Sequence, residues 1–304
     1  MTSVPKPRSH LVERAAAALG STSGVLPVPP PRPEAMEARQ PVPPPPAPPL
    51  PPQQPLPPPI DAERLARAGL IDRNQARSRL VEEIAIVHHQ VLRNVSEVPA
   101  ALGRNARLVL VTSAMPGEGK TFSALNVAAG IAGVGGRPAV IVDLDGKRGS
   151  LTELLGCEKE LGLRSIAAGT SPALVTPLPT AISNLSFLPY GVIPPDAPPV
   201  PQGATIAAAV LRLAAALPDR ILLLDTPPCL ATSEASVLAP VVGQVMLVVQ
   251  AERVQRDQVE AALDMVCACP SVHLLLNQMR QRSQDSFGSV DYEGVYAPLT
   301  ESRA

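Results

Sequence analysis

The sequence has no tryptophan and only three phenylalanines and three tyrosines. A core made from it has to be assembled from Val, Leu, Ile and Ala. It also lacks an excess of charge of either sign. The 26 basic and 27 acidic residues create no field that would draw nucleic acid or a membrane surface. Cysteine is scarce: Cys157, Cys229, Cys267 and Cys269 are scattered, which fits a reducing compartment. Cys267 and Cys269 have neither the spacing nor the companions of a zinc site, so both read as helix packing. No apolar run reaches the roughly 18–20 residues needed to span a bilayer. The N-terminus has no apolar segment of the signal-peptide kind. Together these absences predict a soluble, cytoplasmic chain.

Proline, by contrast, is abundant and unevenly placed. Of 38 prolines, 20 precede residue 60, and the run PVPPPPAPPLPPQQPLPPP cannot donate the hydrogen bonds of a helix or sheet. It is expected as extended polyproline II, either a semi-rigid spacer or a ligand for an SH3-like groove. The spacer is the reading adopted, because composition alone does not fix a partner. Residues 10–19 form at most a short isolated helix. The expected organisation is a disordered Pro-rich tail over 1–59, a helical lead-in over 60–104, a P-loop domain over 105–282 and a flexible tail over 283–304.

Order is expected from Ile60. In the lead-in, Leu80, Ile84, Val87 and Val91 recur at helical spacing. From Arg107 the pattern turns to strand, helix, strand. Apolar strands are expected at Leu108–Val111, Ala139–Val142, Leu185–Leu188, Ile221–Leu224, Val245–Val249 and Val272–Leu276. Helices are expected at 120–133, 204–216 and 256–268. Strands that are apolar throughout imply a mainly parallel sheet covered on both faces. This predicts an α/β, doubly wound fold with its ligand site at the carboxyl ends of the strands.

Three motifs fall at such ends. The first is TSAMPGEGKTF, residues 112–122. A glycine-containing loop between strand and helix lets backbone N–H groups approach phosphate oxygens, aided by the helix dipole. Met115, Pro116, Gly117, Glu118, Gly119, Lys120, Thr121 and Phe122 are therefore the expected nucleotide-binding stretch. Lys120 is placed to reach the β- and γ-phosphates and the Thr121 hydroxyl to ligate Mg²⁺. The strict G-x-x-x-x-G-K-[ST] pattern wants glycine where this chain has Ala114. The second motif, VDLDGKR, sets Asp143 and Asp145 on one side of a strand end. Two adjacent carboxylates are costly unless a cation or a reacting proton shares them. The third, ILLLDTPP, puts Asp225 after four apolar residues, in the Walker B manner, beside the threonine and its metal. In this order the three motifs describe a site for ATP and Mg²⁺.

TSAMPGEGKT, VDLDGKR and LLLDTPP resemble the motifs of bacterial tyrosine kinases of capsule and exopolysaccharide export. The preceding IDAERLARAGLI and SRLVEEIAIVHHQVLRN resemble the lead-in of the exosortase-associated tyrosine autokinases. The likeness runs from about Ile60 to Arg280. It implies a P-loop fold of the MinD/ParA kind and Mg-ATP-dependent autophosphorylation on tyrosine. It assigns Lys120, Asp143, Asp145 and Asp225 to catalysis, and Thr121, Asp143 and Asp225 to the metal. Asn277 resembles the family's nucleotide-side asparagine, although a strand-end amide explains it equally well. A tyrosine hydroxyl, with a pKa of about 10, needs a carboxylate to accept its proton, and Asp145 is the expected base. The expected phosphorylation sites are Tyr292 and Tyr296, while Tyr190 reads as a packing or loop residue. By the same resemblance the partner is a membrane polysaccharide co-polymerase, holding the protein at the inner face of the membrane.

Two features depart from the family. Its oligomerising E-x-x-R-x-x-R helix finds Glu82 here, but Ala85 and His88 at the arginine positions, with His89 adjacent. The guanidinium forks that clamp a neighbour are gone. Self-association is therefore expected to be weak, with the two histidines on a polar face. The C-terminal tyrosine cluster is reduced to two residues. Two rivals stay open: a MinD/ParA-like nucleotide switch, which carries a lysine where this chain has Met115, and an ATP-binding regulator without kinase output.

The Pro-rich segment has too few large apolar groups to offset its ordering entropy. A chain begun at Pro59 should melt within about 3 °C of the full-length protein; a larger fall in a calorimetric scan would show that the segment packs on the domain.

Overall fold

The computed structural model describes residues 60–72, 78–97, 104–192 and 204–279. The Pro-rich segment, the helix expected over 10–19 and the tail carrying Tyr292 and Tyr296 lie outside the described residues.

The described strands are β1 (Asn105–Ser113), β2 (Ala139–Asp143), β3 (Leu178–Pro179), β4 (Leu185–Leu188), β5 (Ile221–Asp225), β6 (Val242–Gln250) and β7 (Val272–Asn277). They form one sheet in the order β3-β4-β2-β5-β1-β6-β7. Every pairing is parallel except that of β3 with β4. The central strands are buried along their whole length, as their unbroken apolar character predicts. Register then brings the motifs together. Asp143 lies opposite Asp225 across β2 and β5, and Val111 opposite Asp225 across β1 and β5.

The helices are α1 (Ala62–Arg67), α2 (Arg79–Glu97), α3 (Lys120–Gly133), α4 (Leu151–Leu154), α5 (Leu163–Ala167), α6 (Ala204–Ala216), α7 (Glu234–Leu238) and α8 (Arg256–Val266). They cover both faces of the sheet. On one face Leu65 and Val91 share a core with Val109, Leu125, Ile131 and Leu223. On the other, Leu163, Val210, Leu213 and Ala262 pack on Leu108, Leu110 and Leu224. The doubly wound architecture expected from the sequence is the one observed.

The lead-in is sewn into this body by hydrogen bonds. The Asp61 carboxylate caps α1 by accepting from the Arg64 N–H at 2.7 Å. The Ile60 N–H donates to the Pro179 carbonyl, and the Ala181 N–H returns a bond to the Ile60 carbonyl, each at 2.8 Å. Asn126 on α3 accepts from the Ile71 N–H and donates to the Gly69 and Phe122 carbonyls, all at 2.9 Å. Gly69 turns the chain at φ +98°, and a Cβ there would meet the Phe122 ring at 3.2 Å. Phe122, expected beside the nucleotide, thus packs against the lead-in.

Several expectations need correction. Of the residues at helical spacing in α2, Leu80, in the first turn, is 41% exposed, while Ile84 and Val91 are buried where α2 crosses α3. His88, expected on a polar face, is fully buried, one turn from Ile84 and Val91 at that crossing. An arginine at 88 would therefore enter the core instead of reaching a neighbouring protomer. His89 is exposed, as expected. Cys267 caps the end of α8 and is exposed, so of the two clustered cysteines only Cys269 packs. The short elements α4, α5, α7 and β3 were not foreseen, since two to five residues are too few to show a periodicity. Among the described residues no helix is long and apolar enough to cross a membrane.

The His88 ring occupies space that only a glycine on α3 leaves free. A Cβ at Gly130 would lie 2.7 Å from His88 Nδ1. Gly130→Ala should gain about 1 kcal/mol of helix propensity but lose about 1–3 kcal/mol to overpacking. A net fall in melting temperature is expected, relieved in the Gly130→Ala/His88→Ala pair. Stabilisation by the single change would show that the crossing is loosely packed.

Candidate active site

The loop between β1 and α3 is built on two left-handed glycines, Gly117 at φ +86° and Gly119 at φ +88°. Gly119 is required twice. Its backbone is costly for other residues, and a Cβ there would lie 2.1 Å from Asn277 Nδ2. Asn277, at the end of β7, donates from Nδ2 to the Glu118 carbonyl at 2.8 Å. The next residue, Gln278, donates from Nε2 to the Gly117 carbonyl at 3.1 Å. In this structure Asn277 therefore acts on the loop itself.

Glu118 has an unusual position for an acid in a loop read as phosphate-binding. It is 1% exposed, and its carboxylate accepts from the Met115 N–H at 2.7 Å and from the Gln250 N–H at 3.3 Å. The side chain thus braces the loop and ties it to the end of β6. The Ser113 hydroxyl completes the turn by donating to the Met115 carbonyl at 2.8 Å. Met115 itself is 38% exposed at the loop's outer edge.

Lys120 opens α3 and points to the carboxylates. Its Nζ lies 2.8 Å from Asp145 Oδ2, 3.2 Å from Thr121 Oγ1 and 4.0 Å from Asp225 Oδ1. Burial alone would lower its pKa, but Asp225, Asp145 and Asp143 together outweigh that and hold it above the ordinary lysine value. Asp145 also faces Lys147, 3.8 Å away.

Asp225 is fully buried. Thr121 and Lys120 lean toward it, yet neither of its oxygens has a hydrogen bond of ordinary geometry. Burial pushes its pKa from 3.8 up to about 7, against the pull of Lys120. Asp143, also buried, is in the opposite condition. Its Oδ2 accepts from the Thr152 N–H at 2.8 Å and the Thr152 hydroxyl at 2.6 Å. Its Oδ1 accepts from the N–H groups of Asp145 and Gly146 at 2.9 and 3.3 Å. A carboxylate has about four acceptor positions, and protein donors occupy those of Asp143.

Among the described residues no three acidic, His or Cys side chains form a ready metal cage. Mg²⁺ does not need one: one or two carboxylates, water and substrate phosphates are its usual shell. An orphaned carboxylate at Asp225, beside the Thr121 hydroxyl, fits that requirement. Asp143, with its oxygens already engaged, fits it less well and instead orients Asp145 through the backbone. Thr152 was not singled out in the sequence, because SLTELL carries no motif. Its role follows only from the fold of the segment after β2.

An ionised, buried and unbonded carboxylate costs folding free energy. Because the folded-state pKa of Asp225 is raised, its contribution to stability is complete below about pH 4 and is lost as pH rises through about 7. Asp225→Asn, free of nucleotide and divalent cation, should melt about 3 °C or more above the parent at pH 8. The gain should vanish toward pH 4. An equal or lower melting temperature at pH 8 would mean that Asp225 is compensated within the apoprotein.

No family model matches the chain. Residues of the chain are 31% identical over 158 positions to the tyrosine-protein kinase wzc of Salmonella typhimurium, a match covering 51% of this chain and 21% of that protein. The chain thus spans about a fifth of that relative's length. It is 26% identical over 191 residues to the tyrosine-protein kinase YwqD of Bacillus subtilis, covering 62% of this chain and 79% of that one. Its fold superposes on the kinase domain of the Escherichia coli tyrosine kinase ETK with a TM-score of 0.55. That superposition spans 71% of this chain and 81% of that one at 22% identity. Motifs, sheet order and these likenesses agree: the chain is similar in sequence to bacterial tyrosine-protein kinases and shares the fold of the ETK kinase domain.

Proposed function

We propose that the chain is an ATP- and Mg²⁺-dependent protein-tyrosine autokinase serving exopolysaccharide or capsule assembly, of the exosortase-associated type its lead-in resembles. The observation that carries this reading is the placement of Lys120 between Asp145 and Asp225 at the carboxyl edge of the sheet. A nucleotide switch of the MinD/ParA kind would want a lysine at the exposed Met115.

In this reading the N–H groups of residues 117–121 and the dipole of α3 receive the β- and γ-phosphates. Thr121 and Asp225 hold Mg²⁺, which supplies charge neutralisation for phosphoryl transfer when bound. Lys120 turns from Asp145 to the phosphate oxygens. That exchange relieves Asp145 of its closer ion pair and leaves a carboxylate able to accept the tyrosine proton. Asp143, fixed by Thr152, keeps Asp145 aimed. Glu118 braces the loop through Met115 and Gln250, and Asn277 and Gln278 hold it at the Glu118 and Gly117 carbonyls. The acceptors are Tyr292 and Tyr296 of the tail over 283–304. A membrane polysaccharide co-polymerase is the proposed partner, with the region 105–282 as the kinase unit.

Mass spectrometry after incubation with Mg-ATP tests this directly. The parent should acquire phosphotyrosine. Lys120→Ala should lose nucleotide binding and phosphorylation together. Asp145→Asn should keep binding and lose at least about 100-fold in transfer, within the range for removal of a general base. A parent that hydrolyses ATP without phosphotyrosine would favour the switch, and Asp145→Asn at the parental rate would remove the base assignment.

A further inference from the structure

A pocket of about 580 Å³ opens next to Asp145. It starts at Gly146, the residue after Asp145, and no residue from 114 to 121 lines it. Its aromatic wall is Tyr190. A Cβ at Gly146 would lie 2.1 Å from that ring, so the two are in close contact. The guanidinium of Arg164 lies 5.3 Å from the ring centroid, stacked over the same tyrosine. Lys147 and the exposed Arg148 also line it.

The pocket and the carboxylates share a support. The Thr152 hydroxyl donates to Asp143 and accepts from the Tyr190 N–H at 2.9 Å. Asp145 is approached by two cations, Lys120 of the P-loop and Lys147 of the pocket lining. Of the two acids that also line the pocket, Glu153 is engaged by the Gly149 N–H. With Glu158 the second acid and Lys147, Arg148 and Arg164 the cations, the lining carries one net positive charge. The volume falls within the ordinary range of ligand sites and exceeds what one phenol ring would fill.

We infer that this pocket is the acceptor site and that it takes the chain's own Tyr292 with its acidic flanks. The inference rests on the kinase reading. The sequence around the first tail tyrosine is Asp291-Tyr292-Glu293, whereas Tyr296 lies between Val295 and Ala297. Arg148 and Arg164 complement the two carboxylates flanking Tyr292 and offer Tyr296 nothing equivalent. Tyr292 follows Met279, the last described residue, by 13 residues, a reach of about 43 Å when extended. In the transfer, the Tyr292 oxygen forms a bond to the γ-phosphorus of ATP while the bond to the β,γ-bridging oxygen breaks. The phenol proton passes to Asp145, and ADP leaves. Tyr292 is then the first site modified and Tyr296 the slower one.

The test uses the full-length protein and a labelled peptide with the sequence of residues 286–297. Its binding is read by fluorescence anisotropy, and site occupancy after Mg-ATP by mass spectrometry. The peptide should bind the parent in a salt-sensitive way. Arg148→Glu and Arg164→Gln should each weaken it about tenfold while ATP affinity stays unchanged. A peptide with Asn and Gln in place of Asp291 and Glu293 should lose the same factor. Early phosphate should favour Tyr292 in the parent and lose that preference in Arg148→Glu. Peptide binding indifferent to both arginine changes, or Tyr296 modified first in the parent, overturns the inference. Arginine-dependent peptide binding with no phosphotyrosine in any variant supports the pocket as a tail-binding site and rejects the kinase reading instead.

Discussion

One largely buried ammonium group, that of Lys120, lies among three carboxylates at the carboxyl edge of the sheet. Asp143, Asp145 and Asp225 end or follow adjacent strands, and register places the first opposite the third. In a site this buried, like charges at such spacing are tolerated only with a cation among them. Lys120 supplies it, paired directly to Asp145 and more distantly to Asp225. The arrangement is self-consistent without ligand, but it leaves Asp225 unbonded and Lys120 divided between partners. A site with its charges in that state is poised for phosphate and a divalent cation, whose charges satisfy both groups at once.

The three acids are not equivalent, although the sequence presents them as similar strand-end aspartates. Asp143 is consumed by four protein donors and behaves as a structural brace. Asp145 is ion-paired and near the surface of the site. Asp225 is buried and lacks hydrogen bonds of ordinary geometry. Of the four donors to Asp143, two come from Thr152 of α4, its N–H and its hydroxyl, and two are the backbone N–H groups of Asp145 and Gly146. A similar division of labour holds around the P-loop. Glu118 and Asn277 sit in or beside the nucleotide motif, yet their side chains bond to protein, keeping the glycine turn in shape.

Much of this was legible from residues alone. The limits of α3 and α6 agree with the helices expected at 120–133 and 204–216, and each apolar run became a strand of the sheet. Phosphate-loop, Asp-x-Asp and Walker B motifs fell on strand ends, where a doubly wound fold places its ligands. Other features were not legible. His88 read as a surface residue because two adjacent polar residues on a helix suggest an outer face. Its burial depends on Gly130, 42 positions away, being the one residue small enough to admit the ring. Phe122 read as part of the nucleotide stretch, but its ring turns to the lead-in at Gly69.

Local sequence determined what is encoded locally: strand and helix type by apolar pattern, the loop's left-handed turns by glycine, and the chemical groups available at the site. These depend on neighbours a few residues apart, whose spacing is fixed by backbone geometry. Tertiary structure decided which oxygen meets which donor. The contacts of Asp143 with Thr152, Thr152 with Tyr190, Glu118 with Gln250 and Asn277 with the P-loop join segments whose separation ranges from 9 to 159 positions. No periodicity records such contacts, because they follow from the order in which strands take their places in the sheet. The same order sets the Tyr190 wall against Gly146 and thereby forms the pocket beside Asp145.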